Sequence, residues 1–235
     1  MSSRIGPSNP PRGAALRAEL IEAGIRLLEQ DGPEALQTRR VVAAVGASTM
    51  AVYTHFGGMT GLLGAVVAEA FSRFGAALAA VPASDDPVAD FLVMGAAYRG
   101  YALANPQRYR LMFGLTAPHA EQSPPICDFT AESPVDAVGA ETFEQLVGVV
   151  ERMITGEHLR ADPPRQVAAR LWALIHGAVL LEMTGSLGPE GRGQTTVLVP
   201  ATIDLLVGMG APREHVEQSA QRARRTIASV SNTAR

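Results

Sequence analysis

The sequence contains no lysine, so all 20 of its basic residues are arginine. An all-arginine composition is more typical of a GC-rich genome than of a design for phosphate binding, although arginine does suit bidentate phosphate contacts. Cysteine is nearly absent as well. The single cysteine, Cys127, excludes an internal disulfide and a cysteine-rich metal site.

Segments that would direct the chain to or across a membrane are also missing. No stretch approaches the ~18 consecutive apolar residues of a membrane span, and the first residues lack the apolar core of a secretory signal. The chain has 235 residues, of which 47% are hydrophobic, and this is long enough for one or two domains with a sizeable core. These features predict a cytoplasmic protein without a membrane partner.

Patterns typical of catalysis or metal binding are not found. The five histidines are scattered along the sequence without a His-x-x-x-His pair. Neither a Gly-x-Ser-x-Gly elbow nor a Walker loop is present. We therefore expect no catalytic residue, no metal ligand, no cofactor and no enzymatic activity. The net charge of −3 does not by itself indicate nucleic acid as a partner.

The stretch 37–56 has the pattern of a helix-turn-helix. A polar start opens a first, apolar helix, and Gly46 suits a tight turn that needs a positive φ. Ser48 is a good N-cap for a second helix. Val52 and Phe56 are four residues apart, so they share the inner face of that helix. In a helix-turn-helix the second helix enters the major groove of DNA.

Polar and charged residues lie where this motif would meet DNA. Arg39 and Arg40 fall in the first turn of the first helix, where the helix dipole disfavours cations. The fold gains nothing from two arginines there, so a bound anion explains them better. From the residues alone, the alternative is a plain helical hairpin with solvated arginines. The residues expected to point outward from the second helix are Thr49, Met50, Tyr53 and Thr54.

This stretch resembles the N-terminal domain of the TetR family of transcriptional regulators. The resemblance covers about residues 14–70. It rests on Gly-x-Ser at 46–48, on Tyr-x-His-Phe at 53–56 and on the preceding Ile21-x-x-Gly24-x-x-x-Leu28. The Tyr-x-His-Phe block falls at the family's distance from the turn glycine, which makes the resemblance fairly specific.

The resemblance implies a set of residues that contact DNA. Phosphate contacts are expected from Thr38, Arg39, Tyr53 and His55. Base contacts are expected from Thr49 and Met50, with Ala51 close enough to touch a thymine methyl group. The remaining members of the predicted DNA-binding set are Arg40, Ser48, Thr54 and Thr60.

Three positions depart from the family's usual pattern. Val42 stands where a small alanine is usual, and Gln37 stands where a serine or threonine cap is usual. Met59 stands where the family often has a lysine that touches a phosphate from the start of the fourth helix. Without that lysine one backbone contact is lost, and the neighbouring Thr60 is expected to donate a weaker hydrogen bond.

The rest of the chain is predicted to be helical, which gives an all-α protein. A flexible arm at 1–13 precedes a three-helix helix-turn-helix domain at 14–58, and a larger helical ligand-binding and dimerisation domain follows at 59–235. Four prolines between residues 115 and 138 predict a long loop. The helices outside the two-helix motif at 37–56 are expected near 14–31, 59–81, 86–104, 106–114, 139–156, 163–187, 195–210 and 212–229.

Two later segments resemble one type of C-terminal ligand-binding domain among TetR regulators. They are Asn105-Pro106-x-x-Tyr109-x-Leu111-Met112-Phe113 and Trp172-x-x-x-His176-Gly177. Because Trp172 and His176 are four residues apart, they lie on one helix face. One interpretation makes His176 a hydrogen-bond donor to a ligand with Trp172 as a wall. The other, which we favour, gives His176 a partner inside the core.

A stripe of aromatic residues in the helix near 86–104 can likewise be interpreted either as part of the core or as part of a ligand cavity. Such a stripe is usually core, but two tyrosine hydroxyl groups make a cavity more plausible. The predicted ligand-binding set is Phe91, Met94, Tyr98, Tyr101, Phe113, Trp172 and His176.

The resemblance implies a ligand-responsive transcriptional regulator, in the family usually a repressor. It would bind a near-palindromic double-stranded DNA operator as a homodimer and release it when a small, largely apolar effector enters the C-terminal domain. The dimer is expected through the helices near 163–187 and 195–210. Its apolar contacts are expected from Leu174, Ala178, Leu181, Ile203, Leu206 and Val207.

Two other classes of protein remain as alternatives. A small-molecule carrier or sensor without a specific DNA target would keep the pocket, but it has no need of Arg39, Arg40 and Tyr53 on one surface. An all-α enzyme would need polar groups that converge in the C-terminal cavity, where the sequence offers one histidine and two tyrosines.

Overall fold

The computed structural model of the protein describes residues 12–116, 138–189 and 191–233. Within these ranges the chain is helical and contains no β-strand, which confirms the predicted all-α class. The predicted arm at 1–11 and most of the predicted loop at 115–138 lie outside the described residues.

The helices follow the predicted order along the chain. Their bounds are α1 Arg12–Asp31, α2 Thr38–Ala44, α3 Thr49–Phe56, α4 Met59–Ala79, α5 Pro87–Ala104, α6 Pro106–Met112, α7 Ala140–Thr155, α8 Pro164–Met183, α9 Val199–Gly208 and α10 Arg213–Thr233. A 3₁₀ turn at Pro33–Ala35 follows α1, and a π-helical turn at Gln194–Leu198 leads into α9.

Helix ends differ from the prediction by a few residues. Arg12 and Gly13, which the sequence assigns to the arm, form the first turn of α1. Helix α8 ends at Met183 rather than near 187, because Gly185 adopts a φ of +76° and helical backbone cannot continue through it. Helix α9 begins in a π-helical turn, and hydrophobic periodicity carries no signal for such a turn.

The chain forms two compact units. The first contains Met1–Ala70 and Gln107–Pro125, and the second contains Phe71–Pro106 and Ile126–Arg235. The first unit therefore extends past residue 58 into α4 and includes α6. The domain limits predicted from the sequence stay predictions.

The core of the first unit is built on the buried face of α1. Leu20, Ala23 and Leu28 are fully buried, and Val41 of α2 and Val52 of α3 are buried with them. Apolar residues three and four positions apart generate this face, as the sequence pattern predicts.

A close approach of α1 and α4 depends on Gly24. A Cβ atom at this position would lie 2.9 Å from Val66 Cγ2 and 3.8 Å from Leu36 Cδ2. A larger residue would therefore require the Val66 side chain, or α4 itself, to move. This contact ties the first half of α4 to the helix-turn-helix.

The core of the second unit lies among α5, α7, α8, α9 and α10. Its buried cluster includes Phe91, Phe143, Val150, Leu171 and Leu206. Of the helices that carry these residues, α7 has a strongly one-sided apolar face, whereas α5, α8 and α9 are apolar around more of their circumference.

Asp86 joins the two ends of the second unit. Its carboxylate accepts a hydrogen bond from Ala89 N at 2.9 Å, which caps α5, and it also accepts from Ser219 Oγ at 2.8 Å and from Arg222 Nη1 at 2.6 Å on α10. Burial raises the pKa of this carboxyl group, but the hydrogen bonds and the charge of Arg222 outweigh burial, so the pKa of Asp86 lies below its usual value. An ionised Asp86 therefore holds α10 to the start of α5.

Helix α4 qualifies the expectation that no stretch is apolar enough for a membrane span. By length and composition alone it could cross a membrane, since an 18-residue window has a mean hydropathy of 1.5. Glu69 and Arg73 interrupt the apolar run, and half of the window is buried inside the protein. The core helix of a soluble protein meets the same criterion, so this feature is weak support for a membrane location.

Candidate DNA-reading surface and ligand site

The outer face of α3 carries the side chains predicted to meet DNA. Met50 and Tyr53 are 67% and 62% exposed, and Thr49 and Thr54 are exposed as well. Val52 on the opposite face is fully buried. Helix α3 is thus anchored in the core through Val52 and exposes the side chains of its opposite face to solvent.

The turn before α3 has the geometry expected of a helix-turn-helix. Gly46 has a φ of +67°, as the turn predicts. Ser48 is the N-cap residue of α3 with extended backbone, but its side chain makes no capping hydrogen bond. Its hydroxyl group is exposed and therefore accessible to a phosphate.

The end of α3 packs differently from the prediction. Phe56 shares the inner side with Val52 but is only half-buried, and the guanidinium carbon of Arg17 lies 5.1 Å from the centre of its ring. This is a cation–π contact between α1 and α3. His55 is half-buried, so part of its imidazole remains accessible.

The two arginines of α2 have different surroundings. Arg40 forms an ion pair with Asp31 at the end of α1, so the fold itself explains this residue. The argument that neither arginine serves the fold is wrong for Arg40. Arg39 is exposed and has no ion-pair partner among the residues that the structure describes.

Met59 replaces the family's usual lysine with an internal contact. The Thr38 hydroxyl group donates to Met59 Sδ at 3.6 Å, a weak hydrogen bond to a thioether. Thr38 is half-buried, whereas Thr60 in the first turn of α4 is exposed. Val42, which replaces the family's usual alanine, is buried in the first unit.

Helix α6 is fixed to α1 by a buried arginine that the sequence analysis did not single out. Arg108 is 8% exposed and pairs with Glu29 of α1. Burial lowers the pKa of its guanidinium group, and the negative charge of Glu22 opposes this shift. The neighbouring Tyr109 is fully buried. A charged residue among the apolar positions of a short helix is the signal that could have identified this anchor.

In the second unit, α5 and α8 bring together a polar chain of three side chains. Trp172 Nε1–H donates to Tyr98 Oη at 3.2 Å, and Tyr98 Oη lies 3.0 Å from His176 Nδ1. A Tyr98 hydroxyl that accepts from Trp172 is free to donate its proton to Nδ1 of a neutral His176 whose own proton is on Nε2. His176 therefore has the internal partner that the structural interpretation expects.

Burial keeps His176 uncharged. It lowers the pKa of the imidazole from 6.5 to about 4. The Trp172 ring lies 5.0 Å from the imidazole at a tilted angle, so the histidine has an aromatic neighbour as well as a hydroxyl partner.

The other residues of the predicted ligand set have mostly apolar surroundings. The Phe74 ring lies 5.0 Å from both Tyr98 and Tyr101. Phe91 is buried, and Met94 packs partly buried against the core cluster of the second unit. Phe113 belongs to the first unit and packs 4.8 Å from Tyr109. Their roles in ligand binding stay predictions.

A cleft of about 480 Å³ opens on another side of α5, within the second unit. Its walls come from α5, α8, α10 and the π-helical turn with the start of α9. Phe91 of the predicted ligand set lines this cleft, whereas Tyr98, Trp172 and His176 do not. Residues from four separate helices form this cleft, so no single sequence motif predicts it.

The two helices predicted to form a dimer expose fewer apolar side chains than expected. Ala178 and Leu206 are buried within one chain, so they are not available to a partner, and this part of the prediction is wrong. Ile203 and Val207 pack partly buried against the core of the second unit. Leu181 is exposed and stays available.

Within the described ranges, no three His, Cys, Asp or Glu side chains are grouped so that they could hold a metal ion.

Comparison with known proteins assigns both parts of the chain to one group. The family model "Bacterial regulatory proteins, tetR family" matches residues 20–66, and the model "Tetracyclin repressor-like, C-terminal domain" matches residues 91–206. The families and relatives found are transcriptional regulators, not enzymes.

Relatives of similar length support the same assignment. The HTH-type transcriptional regulator Rv1816 of Mycobacterium tuberculosis is 27% identical, and the match covers 88% of this chain and 96% of that protein. A solved structure of a protein with unknown function from Rhodococcus sp. RHA1 is 25% identical with a TM-score of 0.67, over 86% of this chain and 99% of that one. The structure of RolR in complex with resorcinol shares the fold, with 15% identity and a TM-score of 0.56 over 90% and 95% of the two chains.

The pKa of His176 predicts a pH dependence of stability. Between pH 6.5 and about 4 the unfolded chain takes up a proton on this histidine and the folded chain does not. The free energy of unfolding therefore falls as pH drops through this window, by something of the order of 1–3 kcal/mol, and levels off below it. His176→Gln removes the titrating group, so its free energy of unfolding should fall less.

Urea unfolding of both proteins at about pH 7, 5.5 and 4 measures this difference. Equal losses of stability in the two proteins would contradict the assignment of a neutral, buried His176.

Proposed function

The chain belongs to the TetR family of bacterial regulatory proteins, and from this premise we propose that it is a cytoplasmic, ligand-responsive transcriptional repressor. It binds a near-palindromic operator as a homodimer, and a small, largely apolar effector releases it. The observation that supports the DNA-binding part best is the outer face of α3, where Met50 and Tyr53 are exposed, together with Arg39 of α2, which is exposed and has no ion-pair partner among the described residues.

The roles of the side chains follow from their exposure and chemistry. Arg39 is an exposed guanidinium group at the start of α2 and is suited to a bidentate phosphate contact. The hydroxyl groups of Ser48 and Tyr53 donate to phosphates, as does Thr60 from the start of α4. Thr49 and Met50 meet base edges, with Ala51 beside them.

Some predicted phosphate contacts are weaker than the sequence suggests. Arg40 reaches DNA only by giving up or sharing Asp31, and the Thr38 hydroxyl group is already engaged by Met59 Sδ. Arg39 therefore contributes more to affinity than its two neighbours do.

A dimer is required because one reader is small. A specific site is usually bound by two half-readers about one helical turn apart, in the range of ~34–36 Å. An effector that changes this spacing breaks the contacts at one half-site. A difference in affinity of ~1–3 kcal/mol between the two states is sufficient for an allosteric response.

Two chain segments connect the ligand-binding unit to the reader. Helix α4 begins in the first unit and ends in the second, and α6, fixed to α1 through Arg108 and Glu29, follows directly after α5. Movement of α5 or of the end of α4 is therefore transmitted along the backbone. For the effector itself we keep the region of Tyr98, Trp172 and His176 as the proposed site, in a fold shared with a protein solved in complex with resorcinol.

A carrier or sensor without a DNA target is the alternative. It would need the second unit alone, and it gives no reason for Arg39, Met50 and Tyr53 to be exposed on the helix-turn-helix of the first unit. This surface favours the regulator.

Selection of binding sites from a random DNA pool, at a stated salt concentration, tests the proposal first. We expect a near-palindromic site with half-site centres about 10 base pairs, or a multiple of that, apart. Sequence-blind binding or no binding, with and without cell extract as an effector source, would favour the carrier instead.

Arg39→Ala should weaken binding to every DNA sequence by a similar factor. Loss of one phosphate contact lowers the slope of log affinity against log salt by about one unit. Arg26→Ala is the matched control, because Arg26 is an exposed arginine of α1 outside the predicted DNA-binding set. A change in base preference, or an equal change of slope in the control, would contradict the phosphate role of Arg39.

The chemistry of α3 predicts how the operator is read. Its base-facing residues Thr49, Met50 and Ala51 carry no amide or guanidinium group, so they cannot make the bidentate contacts that identify adenine or guanine. Methyl and thioether groups instead match the methyl group of thymine. Replacing thymine by deoxyuridine in the half-sites should lower affinity by roughly two- to tenfold.

Met50→Ala should lose most of this discrimination, since the methyl group has lost its partner. Deoxyuridine outside the half-sites is the control, and affinities are measured by titration of labelled operator DNA. Equal binding of thymine and deoxyuridine operators by the unmodified protein would rule out this mode of reading.

A further inference from the structure

The cleft on the second unit combines a partly open apolar body with polar groups. Its volume of about 480 Å³ lies within the ~300–1,000 Å³ of typical small-molecule sites. The walls contain large apolar side chains from all four surrounding elements: Phe91, Leu92, Leu171, Ile175, Leu198 and Ile227. The π-helical turn forms part of the wall, and such turns are frequent at functional sites.

One of the two arginines of the cleft is already neutralised. Arg99 Nε donates to Glu182 Oε2 at 2.7 Å, and its Nη2 donates to the other oxygen of the same carboxylate. Both side chains are largely buried. Arg99 therefore shapes the wall but offers little net charge to a ligand.

Arg224 is the other arginine, and its charge is not compensated. It is exposed at the edge of the cleft on α10, and it has no ion-pair partner among the residues that the structure describes. The lining thus carries about one unit of unpaired positive charge.

A hydroxyl group in the cleft also lacks a partner. Thr202 of α9 is 7% exposed and lines the cleft. Its hydroxyl group makes no hydrogen bond to the described residues, whereas Thr195 of the π-helical turn bonds to the carbonyl of Arg192 at 3.1 Å. The hydroxyl oxygen is not one of the fully buried unpartnered atoms of the described residues, so it stays reachable from the cleft and can donate a hydrogen bond to a ligand atom.

We propose that this cleft is a binding site for an amphipathic monocarboxylate. The apolar body of the ligand lies among the large side chains of the wall. Its carboxylate accepts a hydrogen bond from Thr202 Oγ1 and pairs with the Arg224 guanidinium group. A single negative charge matches the single uncompensated arginine, whereas a phosphate dianion would be left with unpaired charge.

This site is distinct from the region of Tyr98, Trp172 and His176, which lies on other positions of α5 and α8. Binding there does not depend on the proposed action on DNA, so the inference and the proposed function can fail separately.

Three probes with the same alkyl chain test the proposal on the full chain: decanoate, decan-1-ol and decylamine. Binding is measured by titration calorimetry and by the fluorescence of the single tryptophan, Trp172, which follows the cleft residue Leu171 on α8. We expect one decanoate per chain, bound more tightly than either other probe, and weakened by added salt.

Variants at the two polar contacts locate the site. Arg224→Gln should reduce decanoate affinity by about threefold to fivefold and leave that of decan-1-ol unchanged, because the contact is exposed to solvent. Thr202→Val conserves shape and should reduce decanoate affinity by a similar factor. Arg225→Gln is the matched control, since Arg225 is the next exposed arginine of α10 and does not line the cleft.

Several results would overturn the proposal. One is equal affinity for the three probes, and another is decanoate binding that neither Arg224→Gln nor Thr202→Val changes. An equal loss of affinity in Arg225→Gln would show that general surface charge, not the cleft, attracts the ligand. Thermal melts of each variant verify that the fold is retained.

Discussion

The packing of the helix-turn-helix unit depends on how closely α1 and α4 approach each other at Gly24. At Gly24 the backbone of α1 lies so near α4 that a Cβ atom would be 2.9 Å from Val66 Cγ2. The packed interior has no slack to absorb such a clash. Val52 buries α3 in the same unit, so a change at Gly24 would disturb the packing of the unit that carries the candidate DNA-reading surface. Gly24 has no chemical role of its own, but its small size allows the helix packing of the unit that carries the candidate DNA-binding residues.

Buried charge fastens the helices that periodicity alone would leave poorly specified. Asp86 joins α10 to α5, and Arg108 joins α6 to α1. In each case several partners share the charge, since a lone buried ion would be strongly destabilising. Both anchors act on helices that also bury apolar side chains, such as Tyr109 of α6 and Val216 of α10. They specify one arrangement among several that the apolar faces would allow.

Sequence patterns predicted the features that arise from local chemistry. The order of the helices, the positive φ of Gly46 and the outward face of α3 follow from glycine, apolar spacing and capping residues, and the structure confirms them. The sequence predicted that His176 has a hydrogen-bond partner inside the core, but not that this partner is Tyr98, because Tyr98 is 78 residues away along the chain. The contact between Arg40 and Asp31 was missed although the two residues are only nine positions apart, because they belong to different helices whose packing the sequence pattern does not specify. Periodicity places side chains on faces, but it cannot say which faces meet.

The limits are sharpest where several helices contribute to one feature. The cleft takes its lining from four elements, and no single segment of the sequence indicates it. Burial of Ala178 and Leu206 inside one chain likewise could not be told from burial between two chains, since both require the same apolar residue types. The predicted DNA-binding residues form one short local motif, and for this reason they were the easiest to propose from sequence.

The bond between Asp86 and Ser219 also has a consequence for biosynthesis. These residues are 133 positions apart, so the contact cannot form until the ribosome has passed well beyond most of the second unit. Until then the carboxylate of Asp86 lacks its α10 partners, and α5 is capped but not anchored. Long-range contacts of this kind slow folding because a large loop must close first. The first unit, whose reader helices are contiguous in sequence, can become ordered earlier. A nascent chain that ends before α10 thus already contains the complete sequence of the helix-turn-helix, while the second unit still lacks the partners of Asp86.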